Sequence, residues 1–590
     1  MKCFTQRVFF IFSFLLINLL VYSQDRNDQI SENIRLNQLG FYPNAPKFAV
    51  ISAPNVSAYS LLTSDRSKTV LTAFKLKQSA DTALNGNKTF LADLSFFKTP
   101  GDYVIYVDGL GYSYPFSIKD SINNDLAKAT IKAFYFQRAS TALPEEFAGK
   151  WHRAAGHADD KVLIHPSAAS TARPAGTIIN ASRGWYDAGD YNKYIVNSGI
   201  TTATLLSTYE DFPAYVKELN LSIPESTNKA PDLLDEILWN VRWMLSMQDP
   251  ADGGVYHKLT NASFDGMVMP EVTQKPRYAV QKGTAATLDF AAVLAQASRI
   301  FKEYKNEFPG LADSCYQASL AAWNWAQKNP NVAYNQNEMN TKYEPKVTTG
   351  AYGDRNFADE FIWAASELSV TSGDGQYLKA LNLFPDNSMP LPTWSNVRVL
   401  GYYSLAKNEK LLDSIAPEAF TIVKNRIINM ADSYITGING SAYQTVMGKT
   451  SRDFKWGSNS NAANQGIALI QAYRLTGYKE YLRYALANLD YLLGRNATGY
   501  SFVTGHGSKT PMFPHHRPSV ADGIGDPIPG LLVGGPNPGK QDGVALPSSV
   551  PNEAYVDVSE SYATNEIAIN WNAPIVYLSV ALEAMQDEFY

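Results

Sequence analysis

Two aspartates three residues apart lie in an aromatic, glycine-containing segment. Residues 184–191 have the sequence Gly-Trp-Tyr-Asp-Ala-Gly-Asp-Tyr, in which the acids are Asp187 and Asp190. This spacing can direct both carboxylates at one water molecule, which is what general-base hydrolysis needs. The structural alternative is an Asx turn that caps the following helix.

A third acid, Glu566, lies at the beginning of the last predicted helix, near 563–587. Aromatic residues Tyr562 and Trp571 are its neighbours in the sequence, and Asp557 precedes it. Glycosidic cleavage needs one carboxylic acid for the leaving oxygen and a second carboxylate as base or nucleophile. The alternative for Glu566 is a favourable interaction with the dipole of its helix.

A loop rich in proline and glycine carries three histidines, His506, His515 and His516, with Arg517 beside the last. Such a cluster suits a metal site, a basic surface patch or a set of donors for sugar hydroxyls. No carboxylate pattern typical of zinc accompanies these histidines, which argues against a metal there.

The charge balance excludes one class of partner. The 590 residues contain 51 Lys and Arg against 56 Asp and Glu, for a net charge of -5. No basic run follows the chain that could track a phosphate backbone, so we expect no nucleic-acid binding.

The N-terminus has the pattern of a cleaved signal peptide, residues 1–23. Lys2 and Arg7 precede an apolar run from Val8 to Val21, and about 14 apolar residues are too few to span a bilayer as an uncleaved anchor. We therefore expect secretion to the periplasm or the extracellular space, without membrane association after cleavage. Only Cys315 then remains, so no internal disulfide can form.

The mature chain divides by sequence pattern into two domains. A short segment, 24–33, precedes alternating β-rich runs at 34–118, a linker at 119–124 and a helical region at 125–590. We predict about a dozen helices, near 126–142, 195–210, 231–245, 284–304, 311–328, 358–371, 374–382, 393–406, 411–433, 461–476, 478–494 and 563–587. Long loops separate them, notably at 150–185, 252–280, 329–357 and 495–560, and such loops usually carry function.

Taken together and in this order, these motifs resemble the glycoside hydrolases of family 9. The aspartate pair, His515 with Arg517, and the block from Asp557 through Glu566 to Asn572 match the family pattern, and residues 252–258 (Asp-Gly-Gly-Val-Tyr-His-Lys) support it. The resemblance implies a multidomain fold, in which an N-terminal immunoglobulin-like β-sandwich precedes an all-α (α/α)6 barrel.

The resemblance also implies roles for individual residues in an inverting reaction. Asp190 corresponds to the general base, Asp187 to the residue that holds the attacking water, and Glu566 to the general acid. The residues expected to contact the sugar are His257, Trp456, His515, Arg517 and Trp571.

No cofactor is expected for the chemistry, but a structural calcium ion is. Asp359 and Glu360 resemble the pair that holds calcium in related enzymes, and Asp354 and Asn356 stand nearby in the sequence. The family often supplies a further aspartate after a tryptophan, whereas this chain has Ser395 after Trp394. Helix capping by the two acids is the alternative.

The expected activity is endo-cleavage of β-1,4-linked glucan by a monomeric enzyme. Aromatic residues in separate loops suggest a groove that stacks several sugars, namely Trp185, Tyr256, Tyr352, Trp456 and Trp571. Two alternatives are an exo-acting β-glucosidase or glucosaminidase and a non-catalytic carbohydrate-binding protein. Cellulose, mixed-linkage glucan, xyloglucan and chitosan-derived oligomers share the same backbone linkage, and the sequence does not separate them.

Overall fold

A computed structural model of the chain describes residues 29–379 and 381–589. The predicted signal peptide lies outside the described residues. Within the described ranges, no helix is long and apolar enough to cross a membrane.

The N-terminal domain is a sandwich of two β-sheets. One sheet has the order β1-β3-β7-β6, and the other has β2-β10-β8-β4-β5 with β9 paired to β8. Alternate residues of these strands point inward, so Ala49, Leu61 and Ile105 are fully buried between the sheets. The strands are Ile34–Arg35, Gly40–Phe41, Phe48–Ile51, Ala58–Thr63, Thr69–Lys75, Lys77–Gln78, Phe90–Asp93, Gly101–Val107, Gly111–Tyr112 and Phe116–Ile118, β1 to β10 in order.

Buried hydrogen bonds join this sandwich to the helical domain. The Asn37 amide donates to Asp490 at 2.8 Å, and the Tyr42 hydroxyl donates to Glu583 at 2.7 Å. Asp490 also pairs with buried Arg495 at 2.9 Å. Because unpaired buried polar groups are costly, these contacts fix how the two domains meet.

The second domain is helical, as predicted. The predicted helix at 411–433 is divided, because Pro417 cannot continue a helix and Glu418 has a left-handed backbone. The helices, α1 to α18 in order, are Asn124–Phe136, Glu145–Ala148, Ile195–Asp211, Pro213–Lys217, Asp232–Ser246, Thr284–Phe301, Leu311–Lys328, Gln336–Lys342, Ala358–Ser372, Gln376–Lys379, Arg398–Leu405, Glu409–Ile415, Ala419–Ile435, Ser458–Thr476, Lys479–Leu492, Arg517–Ala521, Tyr562–Asn565 and Ile569–Ala584.

Some helices are buried on every side and form the inside of the domain. Helices α6 and α18 are apolar around almost their whole circumference, as internal helices must be. Each of the helices α3, α6, α9, α11, α13, α14 and α18 packs on the next in this order, and α18 packs again on α3. Outer helices cover this ring, with α1 on α18, α5 on α3, α7 on α6 and α15 on α14.

A small sheet, absent from the sequence prediction, lies in the helical domain. Its strands are Val162–Ile164 (β11), Ile178–Ile179 (β12), Lys193–Tyr194 (β13), Lys258–Asn261 (β14) and Arg277–Ala279 (β15), in the order β12-β11-β15-β14-β13. The predicted loops 150–185 and 252–280 therefore contain paired strands. These strands have two to four residues, too few to produce a readable alternation in the sequence.

Candidate active site

The segment that carries both aspartates is held on one side by the residues that directly follow helix α1. Tyr186 N–H donates to Gln137 O at 2.8 Å, and Ala139 N–H donates to Gly184 O at 2.8 Å. The Gln137 side chain also donates to Ala188 O at 3.1 Å. The backbone around Asp187 is thus fixed before any substrate binds.

The two aspartates accept hydrogen bonds from different sets of side chains. Asp187 accepts from Asn197 at 2.9 and 3.1 Å and from the Tyr352 hydroxyl at 3.0 Å. Asp190 Oδ2 accepts from the Asn192 amide and, at 3.3 Å, from the Tyr194 hydroxyl. Every hydrogen bond found for Asp190 within the described ranges ends on Oδ2, which leaves Oδ1 to take a proton.

Glu566 does not occupy the first turn of a long helix, contrary to the sequence prediction. Helix α17 ends at Asn565, Glu566 has extended angles (φ -73°, ψ 150°), and α18 begins only at Ile569. The interruption arises because residues 566–568 form bridges with three other segments, through His515, Val533 and Ala188. Interaction with a helix dipole therefore does not explain this glutamate.

Backbone contacts bring the three predicted catalytic carboxylates together. Ala188 pairs with Ala568, and Ile569 N–H donates to Asp187 O at 2.8 Å. Gly189 allows the aspartate segment to approach the backbone of His515 closely, because a Cβ atom at Gly189 would lie 2.2 Å from His515 O. The aspartate segment and the Glu566 segment consequently face each other although they are far apart in the sequence.

Burial and the proximity of these acids to one another raise the pKa values of two of them. Burial raises the pKa of Glu566 well above its usual range, and the charges of Asp190 and Asp187 raise it further, against opposition from Arg517. Burial and then Asp190 raise the pKa of Asp187 well above its usual range. A carboxyl group kept protonated near neutral pH is suited to general-acid chemistry.

Arg517 and His257 lie at the site but face protein groups. Arg517 Nη1 donates to Gly189 O at 2.6 Å, while Nε and Nη2 donate to Asp265 O at 3.1 and 2.9 Å. His257 is 1% exposed, and its Nε2–H donates to Ala351 O at 2.9 Å. In this structure both side chains support loops around the acids, so sugar contact by either would need a rearrangement.

His515 is better placed for a sugar. Its Nδ1–H donates to Ser559 O at 2.6 Å, and burial lowers the pKa of His515, which favours the neutral ring. The tautomer follows because a carbonyl oxygen can only accept. Nε2 is then an acceptor for a sugar hydroxyl, where the sequence suggested a donor.

An aromatic surface extends from His515. The His515 and Tyr562 rings lie 6.0 Å apart, and the Tyr562 and Trp456 rings lie 5.5 Å apart. Trp456 is 43% exposed. Trp571 is half-buried, and its ring contacts the position of Gly457, where a Cβ atom would lie 2.7 Å from Nε1. Trp456 and Tyr562 together form a surface on which a sugar ring can stack.

Two of the aromatic residues predicted to line a groove do not do so. Trp185 and Tyr256 are fully buried. Trp185 donates to Glu236 at 2.7 Å, and Tyr256 donates to Asp249 at 3.2 Å, so both belong to the interior of the domain. Sequence alone does not distinguish an aromatic residue of the core from one of a groove.

The acids predicted to bind calcium lie in a separate cluster. Glu360 on α9 and Asp289 on α6 are both fully buried. Neither carboxyl oxygen of either residue accepts a hydrogen bond from the part of the chain that the structure describes. Asp354 has one unpartnered oxygen, whereas Asp359 accepts from Val397 N–H at 2.8 Å. Burial, followed by neighbouring carboxylates, raises the pKa of Glu360 and of Asp289 well above their usual range.

The donor chemistry of this cluster fits a hard cation such as calcium. Within the described ranges, however, no three His, Cys, Asp or Glu side chains are already arranged to hold a metal ion. A calcium ion here would need backbone carbonyl or water oxygens as well, which calcium commonly uses.

Asn192 and Asn197 were not identified from the sequence, and Tyr352 was predicted only as an aromatic residue for sugar stacking. All three contact the aspartates directly, but none lies in a motif that predicts this contact. One signal exists for Tyr352, whose φ of 47° is unusual for a large side chain and marks a constrained position.

Comparisons with known proteins identify the family of the chain. The family model for glycosyl hydrolase family 9 matches residues 124–579, and the model for the cellulase N-terminal ig-like domain matches residues 29–112. The xyloglucan-specific endo-beta-1,4-glucanase BoGH9A of Bacteroides ovatus is 46% identical over 94% of each chain. Endoglucanase D of Acetivibrio thermocellus is 34% identical over 93% of this chain and 83% of its own.

A solved structure described as Bacteroides ovatus GH9 superposes with a TM-score of 0.89 at 45% identity, over 94% of this chain and 99% of the other. The predicted fold class is confirmed, with a β-rich N-terminal domain before a helical catalytic domain. The chain belongs to glycosyl hydrolase family 9 and carries the cellulase N-terminal ig-like domain.

Proposed function

We propose that this protein is a secreted endo-β-1,4-glucanase that hydrolyses its substrate with inversion. The carrying observation is the meeting of Asp187 and Asp190 with Glu566 across the Ala188–Ala568 bridge, in a site where the pKa of Glu566 is raised. Glu566 is then the proton donor and Asp190 the base, which are the two carboxyl roles that such hydrolysis requires.

The reaction is a single displacement. Water bound between Asp187 and Asp190 attacks the anomeric carbon, and its proton passes to Asp190 Oδ1. The bond to the leaving oxygen breaks while Glu566 donates its proton to that oxygen. The attacking water and the leaving group lie on opposite faces of the sugar ring. Cleavage of a β-linkage therefore gives an α-product. Proton exchange with solvent returns both acids to their starting states.

We propose that xyloglucan is a substrate, along with unbranched β-1,4-glucans. The support is the 46% identity to an enzyme named as xyloglucan-specific over 94% of both chains. The exposed surface of Trp456 and Tyr562 supports binding of a sugar beyond the cleavage point. The sequence pattern of residues 1–23 supports the proposal of export.

Endo-action is tested by following viscosity and reducing ends together on xyloglucan and on carboxymethyl-cellulose. Internal cutting lowers viscosity long before much sugar is released. Early accumulation of monomer or dimer at persistent viscosity would favour the exo alternative, and absence of hydrolysis by the intact protein would favour carbohydrate binding alone.

We also propose that Asp359 and Glu360 hold a structural calcium ion together with Asp354, Asp289 and further oxygen ligands. The unpartnered, buried oxygens of Glu360 and Asp289 support this proposal, because carboxylates without hydrogen bonds are costly unless they are protonated or bind a cation. The ion would offset the repulsion among these acids and take no part in the chemistry.

A further inference from the structure

Lys258 on β14 is a fully buried lysine beside the candidate active site. Its ammonium nitrogen lies 2.7 Å from Gln336 Oε1, 3.0 Å from Thr349 Oγ1 and 2.6 Å from Gly350 O. Buried Lys193, by comparison, pairs with Asp159 at 2.7 Å. All three partners found for Lys258 within the described ranges are neutral oxygens.

Two of these partners can only accept a hydrogen bond from Lys258. Gly350 contributes a carbonyl oxygen. The Gln336 amide nitrogen donates to Thr349 O at 2.7 Å, so its oxygen must face Lys258. The Tyr334 hydroxyl also donates to that oxygen at 3.0 Å. These contacts use two protons of the lysine.

Whether the third partner, Thr349, donates or accepts follows from the hydrogen bonds that link it to Asp190. Asn261 N–H donates to Asn192 Oδ1 at 2.9 Å, which orients the Asn192 amide so that its nitrogen donates to Asp190 Oδ2. Thr260 Oγ1 lies 3.0 Å from Asn192 Oδ1 and 2.8 Å from Asn261 O, both acceptors. The single hydroxyl proton of Thr260 therefore goes to one of these two oxygens.

Thr260 must then be the acceptor in its 2.6 Å contact with Thr349. Thr349 donates its only hydroxyl proton to Thr260, and so it accepts from Lys258. Lys258 thus donates three hydrogen bonds, which requires the ammonium form. Burial lowers the pKa of Lys258 well below its usual value, and the charge of Asp190 opposes that shift.

We propose that Lys258 is a positioning residue for the catalytic base, and that it holds Asp190 as the carboxylate through a hydrogen-bond chain of Thr349, Thr260 and Asn192. Lys258 donates to Thr349, Thr349 donates to Thr260, and Thr260 lies 3.0 Å from Asn192, which donates to Asp190, so the chain stabilises negative charge at its end. All four members are buried. The inference rests on the proposed role of Asp190.

Other groups face the same aspartate and are unchanged by substitutions in the chain. The titratable groups around Asp190 are Asp187, Glu566, Tyr194, Tyr352 and His515. Around Lys258 stand the rings of Tyr194 and Tyr334, at 5.4 and 5.6 Å, and neutral His257. Arg517, which donates to Gly189 O at 2.6 Å, is a second cation near Asp190 and is unchanged when Lys258 is replaced.

The test is the pH dependence of kcat/KM for Lys258→Met. Loss of the cation disfavours the ionised base, so the acidic limb should move to higher pH by about half a unit to one unit. The basic limb of the profile, which the pKa of the general acid sets, should move less. Thr349→Val should shift the acidic limb in the same direction by a smaller amount, and Thr349→Ser should restore it.

Lys47→Met is the matched control, since Lys47 is a fully buried lysine of the β-sandwich that donates to Pro43 O at 2.6 Å and Ala45 O at 2.9 Å. It should lower thermal stability without moving either limb. An unmoved acidic limb in folded Lys258→Met overturns the proposal, as does an equal shift in Lys47→Met. If Lys258→Met does not fold, the comparison of Thr349→Val with Thr349→Ser decides.

Asp190→Asn, measured in parallel, separates this inference from the proposed function. Retained activity in Asp190→Asn removes the base assignment and this inference with it. Lost activity there, combined with an unmoved limb in Lys258→Met, overturns the role of Lys258 alone.

Discussion

The Tyr352 hydroxyl donates a 3.0 Å hydrogen bond to Oδ2 of Asp187 from the loop between helices α8 and α9. The Tyr352 ring packs at 4.7 Å on Tyr194 and at 5.3 Å on Trp394. His257 holds the preceding residue through Ala351 O. The loop is therefore built to place one hydroxyl against the residue proposed to orient water.

Removal of this hydroxyl by Tyr352→Phe should lower kcat about tenfold with little change in KM, because one hydrogen bond to the Asp187 carboxyl group is lost while the ring remains. Steady-state kinetics on a soluble β-glucan measure this. A change confined to KM would instead place Tyr352 in substrate binding.

The acid and the base can be distinguished by their substrates. Asp190→Asn and Glu566→Gln should each reduce hydrolysis of polysaccharide by about 10²–10⁴-fold. On an aryl β-glycoside with an activated leaving group, Glu566→Gln should regain much of its rate, because such a group departs without protonation. Asp190→Asn should remain inactive.

A control for these carboxylate substitutions is Glu583→Gln, which alters a buried acid bonded to Tyr42 at the domain interface. It should affect stability and leave kcat close to wild type. Equal losses for both catalytic variants on the activated substrate would refute the assignment of Glu566 as the acid.

How far the sequence predicted this site depends on how each residue acts. Asp187, Asp190 and Glu566 could be predicted as catalytic candidates, because glycosidic cleavage requires carboxylates and these three lie in recognisable motifs. The hydrogen bond of Tyr352 to Asp187 and the position of Thr349 could not be predicted, because both exist only after distant loops meet. The predicted sugar contacts of His257 and Arg517 were inferred from motifs that do not show which way a side chain points.

The fold was predictable to a similar degree. Long periodic segments such as α3, α6 and α7 were identified nearly to the residue. The small sheet that carries Lys258 was missed, since its strands are too short for periodicity to appear. The break at Glu566 was also missed, because it is imposed by bridges to Ala188, His515 and Val533 and not by local sequence.

Trp456→Ala should raise KM for polymer about fivefold with a smaller effect on kcat, because a stacking surface for sugar is removed away from the reacting bond. Tyr478→Ala is a matched control, as Tyr478 is another exposed aromatic residue, 52% accessible, with no predicted role. Equal effects of the two substitutions would show that Trp456 contributes nothing specific.

Stability should depend on pH and calcium in a linked way. The pKa values of Glu360 and Asp289 are raised in the fold, so their protonated forms stabilise it at low pH, and this stability is lost as pH rises above about 4.5. In the presence of a chelator, Tm should therefore decrease as the pH is raised from about 5 to about 7. Calcium should raise Tm at pH 7 and reduce that fall, whereas Glu360→Gln should abolish the calcium effect. A calcium-independent Tm would indicate shared protons in place of an ion.

The configuration of the first product tests the central claim most directly. Proton NMR during hydrolysis of a soluble β-1,4-glucan, recorded before mutarotation, resolves the anomeric signals of newly formed reducing ends. One displacement by water held at Asp187 and Asp190 must deliver the α-anomer first, with the β-anomer growing in later. Initial appearance of the β-anomer would mean that a carboxylate attacks the sugar itself, and would contradict the account.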